Sequence, residues 1–222
     1  MVKLAPQAIT LKSLKDGDFT DVFPQFYRLK NTKENSAYHN HQSVYDHVIA
    51  VLEGLEKLFA LAFIKNESLK AKLQTYLVSK LDKVSHQTLI FLATVFHDMG
   101  KAEVLIETAL GNFSAPGHEL TGVSWARRCL QQVDLTEVEK EWIYQFVLAH
   151  GYMHGLVSVK LQRSDRDFFA ELLYAMGDLA PGLLLFVYAD LLGSDLQQAD
   201  PNDYQAKINA VEEMIGWLDE TL

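Results

Sequence analysis

Apolar residues return every three or four positions along almost the whole chain, and strand-like alternation is scarce. That period confines the fold to packed helices, because each amphipathic helix must bury its apolar stripe against another element. Val44, Val48, Val51, Leu52, Leu55, Leu58 and Phe59 form one stripe of a long helix beginning near Gln42. A weaker pattern covers residues 67–81. Ser85 is an N-cap candidate for a helix running through Leu89, Ile90, Ala93 and Phe96 to His97, with Gly100 where it should end. Residues 103–113 read as a loop with room for a short helix, and Pro116-Gly117 precedes a helix over 118–132. Thr136-x-x-Glu139 is a capping-box signal for the next helix, which carries Ile143, Phe146 and Val147 and is expected to stop at Gly151. Residues 166–177 and 182–192 read as two helices separated by Pro181. Asp200-Pro201 is a cap and first-turn pair for a final helix reaching about residue 222.

No internal repeat, low-complexity tract or long linker interrupts this pattern. The 222 residues, 49% hydrophobic and 22% charged, fit one globular domain with a sizeable core. The expectation is an all-α, single-domain helical bundle over residues 38–222, with residues 1–37 as an N-terminal extension packed on or tethered to it. One cysteine, Cys129, excludes an intramolecular disulfide and a thiolate zinc cage. The N-terminal residues contain no continuous apolar stretch of the signal-peptide kind, and the longest apolar runs are short for a bilayer. A cytoplasmic protein without membrane contact is therefore expected. The net charge of −9 argues against extended nucleic-acid binding but leaves a small phosphorylated substrate open. No periodicity identifies an oligomeric state.

Ligand-type residues fall on apolar helix faces. His47 lies between Val44 and Val51, His97 follows Ala93 by one turn, and His150 continues the face of Ile143, Phe146 and Val147. Asp190 sits inside a run of leucines in register with Phe186 and Val187. Buried charge is costly unless it is paired or bound to a metal. A lone histidine on such a face is usually a hydrogen-bonded core residue, and one His-Asp dipeptide is weak evidence for anything. Four helices each turning such a residue inward could instead build a metal site in a bundle core.

The ordered set carries more than its members. YHNHQSVYDHVIAVLEGL surrounds His47, FLATVFHDMGKAEV surrounds His97-Asp98 and SAPGHELTGVSWARRCL surrounds His118. FVLAHG ends on His150-Gly151, and LLLFVYADLLGS carries Asp190. Over residues 38–194 this series resembles the HD-domain superfamily of metal-dependent phosphohydrolases. In motif style it looks most like the HD domain of bacterial CCA-adding tRNA nucleotidyltransferases; the nucleotidyltransferase head is absent, so CCA addition is not implied.

The resemblance implies an HD-type bundle in which His47, His97, Asp98 and Asp190 bind a divalent transition metal. A donor set of imidazole and carboxylate without thiolate suits Fe, Mn, Co, Ni or Zn. His118 and His150 occupy positions that hold a second metal in binuclear members and contact the phosphate in others. Both readings stay open, so one or two metal ions are expected. The implied reaction is hydrolysis of a small phosphorylated substrate, a nucleotide first of all, with Asp98 and Lys101 as catalytic groups. Lys101 is expected to reach a phosphate oxygen; otherwise it is a surface lysine favouring a helix C-terminus. His154 and His41 are further substrate-contact candidates, with His39 beside them. Either Arg127 or Arg128 could face phosphate. Gly100 is expected to let the backbone turn tightly beside the metal. The leading substrates are phosphomonoesters or cyclic phosphodiesters of nucleotides or RNA ends. Alternatives are a nucleotide-pool or second-messenger hydrolase and a non-catalytic metal-binding regulatory module.

Overall fold

The computed structural model describes residues 3–35, 38–109, 113–162, 166–220 and 222. Among the described residues the regular elements are helices and two small antiparallel hairpins. In chain order the elements are α1 (Leu11–Asp16), α2 (Pro24–Arg28), β1 (Lys33–Asn35), β2 (Asn40–Ser43), α3 (Val44–Leu58), α4 (Glu67–Val78), α5 (His86–Phe96) and α6 (Lys101–Val104). They continue with β3 (Ile106–Glu107), β4 (Phe113–Ser114), α7 (His118–Cys129), α8 (Glu137–Gln162), α9 (Arg166–Met176), α10 (Ala180–Gly193), α11 (Leu196–Ala199) and α12 (Pro201–Trp217). The single-domain helical bundle expected from the period is what the chain forms.

Side-chain caps explain where several helices start. Ser43 accepts a hydrogen bond from the Asp46 N–H, Ser85 from Thr88 and Asp200 from Asp203. Such caps contribute about 1 kcal/mol each. The capping box is present at Thr136 and Glu139: each backbone N–H donates to the other's side chain, at 2.9 and 3.3 Å. Glu139 does more than cap, since its other oxygen accepts from the N–H groups of Lys83 and Val84, both at 2.7 Å. One buried carboxylate thus ties the α4–α5 loop to the start of α8.

Helices α5 and α10 are apolar on nearly every face and form the centre, as all-round hydrophobic helices must. Around them pack α3, α7, α8 and α12. Helices α3 and α10 approach closely because both carry glycine at the crossing. A Cβ on Gly193 would lie 2.8 Å from the Val51 nitrogen, and one on Gly54 would lie 3.3 Å from the Ala189 carbonyl oxygen. This approach brings His47 on α3 and Asp190 on α10 together. Before α3, the side chains of Leu14, Phe23, Phe26 and Leu29 are fully buried in the same core, with the Phe23 ring edge-on to Phe96 at 5.5 Å. Leu4 exchanges backbone hydrogen bonds with Gln132 and Asp134, both at 2.8 Å.

Three expectations need correction. Helix α8 does not stop at Gly151 but runs through Gly151 and Gly155 to Gln162. Pro181 does not separate two helices; it sits in the first turn of α10, where its missing N–H costs nothing. The final α-helix ends at Trp217 and passes into a 3-10 turn. Helical continuity also lengthens what the sequence shows as short apolar runs. Arg166–Gly193 is long and apolar enough to cross a membrane by length and composition, yet 61% of its apolar 18-residue window is buried inside the fold.

Candidate metal centre

Asp98 occupies the middle of the cluster. It follows α5 directly, is 2% exposed, and directs its two oxygens to different sets of imidazoles. Oδ2 lies 3.3 Å from His97 Nε2 and 3.7 Å from His47 Nε2. Oδ1 lies 3.4 Å from His118 Nε2 and 3.9 Å from His150 Nε2. Asp190 adds a second carboxylate, with Oδ1 at 3.0 Å from His47 Nε2 and 3.7 Å from His97 Nε2. Two groups of three ligand atoms result, His47-His97-Asp98 and Asp98-His118-His150, sharing Asp98.

All four imidazoles are oriented in one way. Nδ1 of His97, His118 and His150 meets the carbonyl oxygens of Thr94, Ala115 and Val147 at 2.7, 2.8 and 2.6 Å. His47 Nδ1 faces the Gly193 carbonyl at 3.4 Å. A carbonyl can only accept, so these contacts select the Nδ1–H tautomer and leave the Nε2 lone pair aimed into the cluster. Metal-binding histidines are held this way, their second nitrogen donating to a carbonyl or carboxylate. Helical geometry supplies the Thr94 and Val147 carbonyls and the turn before α7 supplies that of Ala115, each three residues before its histidine.

The donor set fits a divalent metal ion. Two atoms each about 2.1 Å from one centre are separated by roughly 3 to 4 Å, the range spanned by the Asp98, Asp190 and imidazole distances above. His97 Nε2 is buried and makes no hydrogen bond, leaving a lone pair that a Lewis acid would satisfy. His118 Nε2 and His150 Nε2 stand only 3.1 Å apart. A proton shared between them, or a cation, is needed to offset the repulsion of two lone pairs.

Electrostatics agree with that chemistry. Burial alone would raise the Asp98 pKa, but the Lys101 ammonium and the His97 and His47 imidazoles hold it well below the ordinary carboxylate range. Asp190 is depressed too, with burial again outweighed, here by His47 and His154. Burial and the neighbouring His97 keep His150 neutral by lowering its pKa, the state a ligand needs. His97 is shifted up, because Asp98 and Asp190 outweigh its burial; metal binding there would release a proton.

Lys101 is the first residue of α6 and turns back into the site. Its Nζ lies 2.8 Å from Asp98 Oδ2 and 3.0 Å from Glu34 Oε2. Paired with these two carboxylates, its side chain is 12% exposed rather than on the open surface. Gly100 does not serve as a turn with special backbone angles: its φ of −72° and ψ of −21° are helical. It is glycine because α7 presses against it. A Cβ there would overlap the His118 carbonyl oxygen and lie 2.7 Å from the Gly122 nitrogen.

A cavity of about 420 Å³ opens from the cluster, lined also by Tyr38, Glu119, Val157, Ser158, Leu191 and Lys207. Because α8 continues past Gly151, His154 stays on the face of His150 and reaches Asp190 Oδ2 at 3.3 Å. It is 37% exposed at the cavity mouth. Gly151 leaves room for the Glu119 carboxylate, and a Cβ on Gly155 would meet open space. His39 lies in the cavity wall, edge-on to His47 at 4.3 Å, and burial beside His47 pushes its pKa down to about 3. The His41 side chain lies outside the described residues. Neither Arg127 nor Arg128 lines the cavity; their guanidinium groups lie over the Tyr144 and Trp125 rings at 4.3 and 4.7 Å.

Two residues at the site carried no sequence signal. Glu34, in the sequence Lys-Glu-Asn, looks like part of a solvated loop, yet it is 8% exposed and bonded to Lys101. Lys207 lies on α12 and donates to the Tyr38 hydroxyl at 2.7 Å and to Asp203. Nothing in the sequence around Lys207 points to its position at the cavity. In comparisons with known proteins, no family model matches the chain and no curated protein matches it.

Proposed function

We propose that the chain is a metal-dependent phosphohydrolase of the HD type, cleaving phosphomonoesters or cyclic phosphodiesters of nucleotides or RNA ends. The observation that carries this reading is Asp98, whose two oxygens each face a pair of imidazoles with their Nε2 atoms inward. His47, His97, Asp98 and Asp190 would hold one ion, and His118 and His150 would hold a second or contact the phosphoryl group directly. A bound Fe, Mn, Co, Ni or Zn ion supplies Lewis acidity, which makes water a competent nucleophile near neutral pH and offsets phosphoryl charge.

The chain's own groups do the rest. Backbone carbonyls hold the imidazoles with Nε2 inward, so the rings need not turn when a ligand arrives. Lys101 brings a largely covered positive charge to the cavity, where it can meet an equatorial phosphoryl oxygen. His154, beside Asp190 and partly exposed, can make a hydrogen bond from its ring to a phosphoryl oxygen at the cavity mouth. The cavity is of ordinary size for a small organic ligand, and Val157, Val187 and Leu191 give it an apolar wall for a sugar or base. A cytoplasmic setting accords with the single buried thiol of Cys129.

The test is a substrate panel run on metal-reconstituted protein: an aryl phosphomonoester, an aryl phosphodiester, cyclic nucleotides and nucleoside monophosphates. Turnover that disappears in Asp98→Ala is the expected result. Wild type and Asp98→Ala equally inert on every substrate, with metal bound to the wild type, would favour a binding module over an enzyme.

A further inference from the structure

We propose that Glu34 is a positioning residue that sets, through Lys101, how tightly Asp98 holds a metal ion. This rests on the metal-site reading above. Lys101 Nζ stands between two carboxylates, 2.8 Å from Asp98 Oδ2 and 3.0 Å from Glu34 Oε2. Asp98 is the ligand shared by both groups of donors, and Oδ2 is the oxygen facing His97 and His47. A fixed ammonium on that oxygen repels a dication and draws on the same lone pairs. Glu34 opposes this in two ways. Its charge compensates the ammonium, and its hydrogen bond gives Lys101 a partner other than Asp98.

The fold holds Glu34 in that role. Strand β1 pairs with β2, Lys33 opposite Ser43 and Asn35 opposite Asn40, and β2 leads directly into α3 with its ligand His47. The register shifts between Lys33 and Asn35, and at this irregularity Lys33 is exposed while Glu34 is buried, its Oε2 also 3.6 Å from His39 Nε2. Residues outside the HD-like segment thereby reach the centre of the site.

The experiment is a double-mutant cycle read by Co²⁺ affinity, from visible absorption and competition with a chelator, with Tm measured for each protein. Glu34→Gln leaves the ammonium uncompensated and should weaken Co²⁺ binding about 10- to 100-fold, the usual range for residues behind a metal ligand. Lys101→Met should bind Co²⁺ more tightly than wild type. In the Lys101→Met background, Glu34→Gln should change affinity less than about threefold, since the residue through which it acts is gone. Glu34→Asp should recover part of the wild-type affinity. An equal loss from Glu34→Gln in both backgrounds overturns the proposal, because Glu34 would then act as a ligand or through the fold. So does a Glu34→Gln protein with wild-type affinity. Wild type that binds no Co²⁺ overturns the metal reading itself, a different failure from the other two.

Discussion

Replacing Gly100 by alanine sets two effects of opposite sign against each other. Its backbone angles are helical, so alanine suits the conformation and would ordinarily add about 0.4–1 kcal/mol by stiffening the unfolded chain. The new Cβ, however, meets backbone: it overlaps the His118 carbonyl oxygen and lies 2.7 Å from the Gly122 nitrogen and 2.9 Å from the His118 carbonyl carbon. No rotamer change can relieve contacts with main-chain atoms, so the start of α7 must move by roughly 1 Å or more to restore separations near 3.5 Å. Overpacking of this kind costs about 1–3 kcal/mol, which exceeds the conformational gain. A net loss of about 1–2 kcal/mol in a chain of this size lowers Tm by roughly 2–8 °C. The displaced element carries His118, whose Nε2 is 3.4 Å from Asp98 Oδ1, so metal occupancy should fall with stability. Calorimetry and metal analysis read the two effects together. Gly155→Ala is the control: its Cβ meets nothing within 4 Å, so alanine there should raise stability by up to about 1 kcal/mol. A Gly100→Ala protein with Tm at or above wild type refutes the packing account of this glycine.

Other outcomes follow from contacts away from the cavity. His86 donates between α5 and Asp178 at 2.8 Å, and although burial lowers its pKa, the Asp178 hydrogen bond raises it above 6.5 overall. That contribution is complete below pH 6.5 and is lost as pH rises through the elevated folded value. Asp178 is held below 3.8 against burial by His86 and Trp142, so its contribution is present above 3.8 and is lost as pH falls through the lowered value. The Tm difference between wild type and Asp178→Asn should therefore be largest between these limits and shrink as pH rises through the elevated His86 value; a difference constant across the range contradicts the linkage. Glu139→Gln keeps the shape but removes the charge that accepts from three backbone N–H groups, so urea denaturation should show a loss of about 1.5–3 kcal/mol. Asp200→Ala removes the cap of α12 and should cost about 1 kcal/mol, measured the same way.

The helical period and the capping residues were legible because they are local. So were His47, His97, His150 and Asp190, whose placement on apolar stripes reports burial directly. Helix continuity was harder to read. Two glycines in α8 cost only about 1 kcal/mol each relative to alanine, and packing on α5, α7 and α10 outweighs that. The helix therefore passes the point where glycine alone suggests an end, and His154 stays in the site. Pro181 misled for a related reason, since proline marks a helix start as readily as a break. Glu34 and Lys207 were invisible as site residues because long-range topology carries them there. A three-residue strand and the second turn of the last long helix have no local pattern that points to Asp98 or Tyr38.

The measurement that bears most directly on the central claim is metal content. Protein purified without added metal, then reconstituted separately with Fe, Mn, Co, Ni and Zn and desalted, is assayed by mass spectrometry beside His97→Ala and Asp98→Ala. The account predicts at least one transition-metal ion per chain in wild type and loss of it in both variants, with each variant still showing cooperative thermal unfolding. Less than about 0.2 equivalents in wild type after every reconstitution would contradict it, since a buried donor set with four fixed imidazoles should bind at neutral pH.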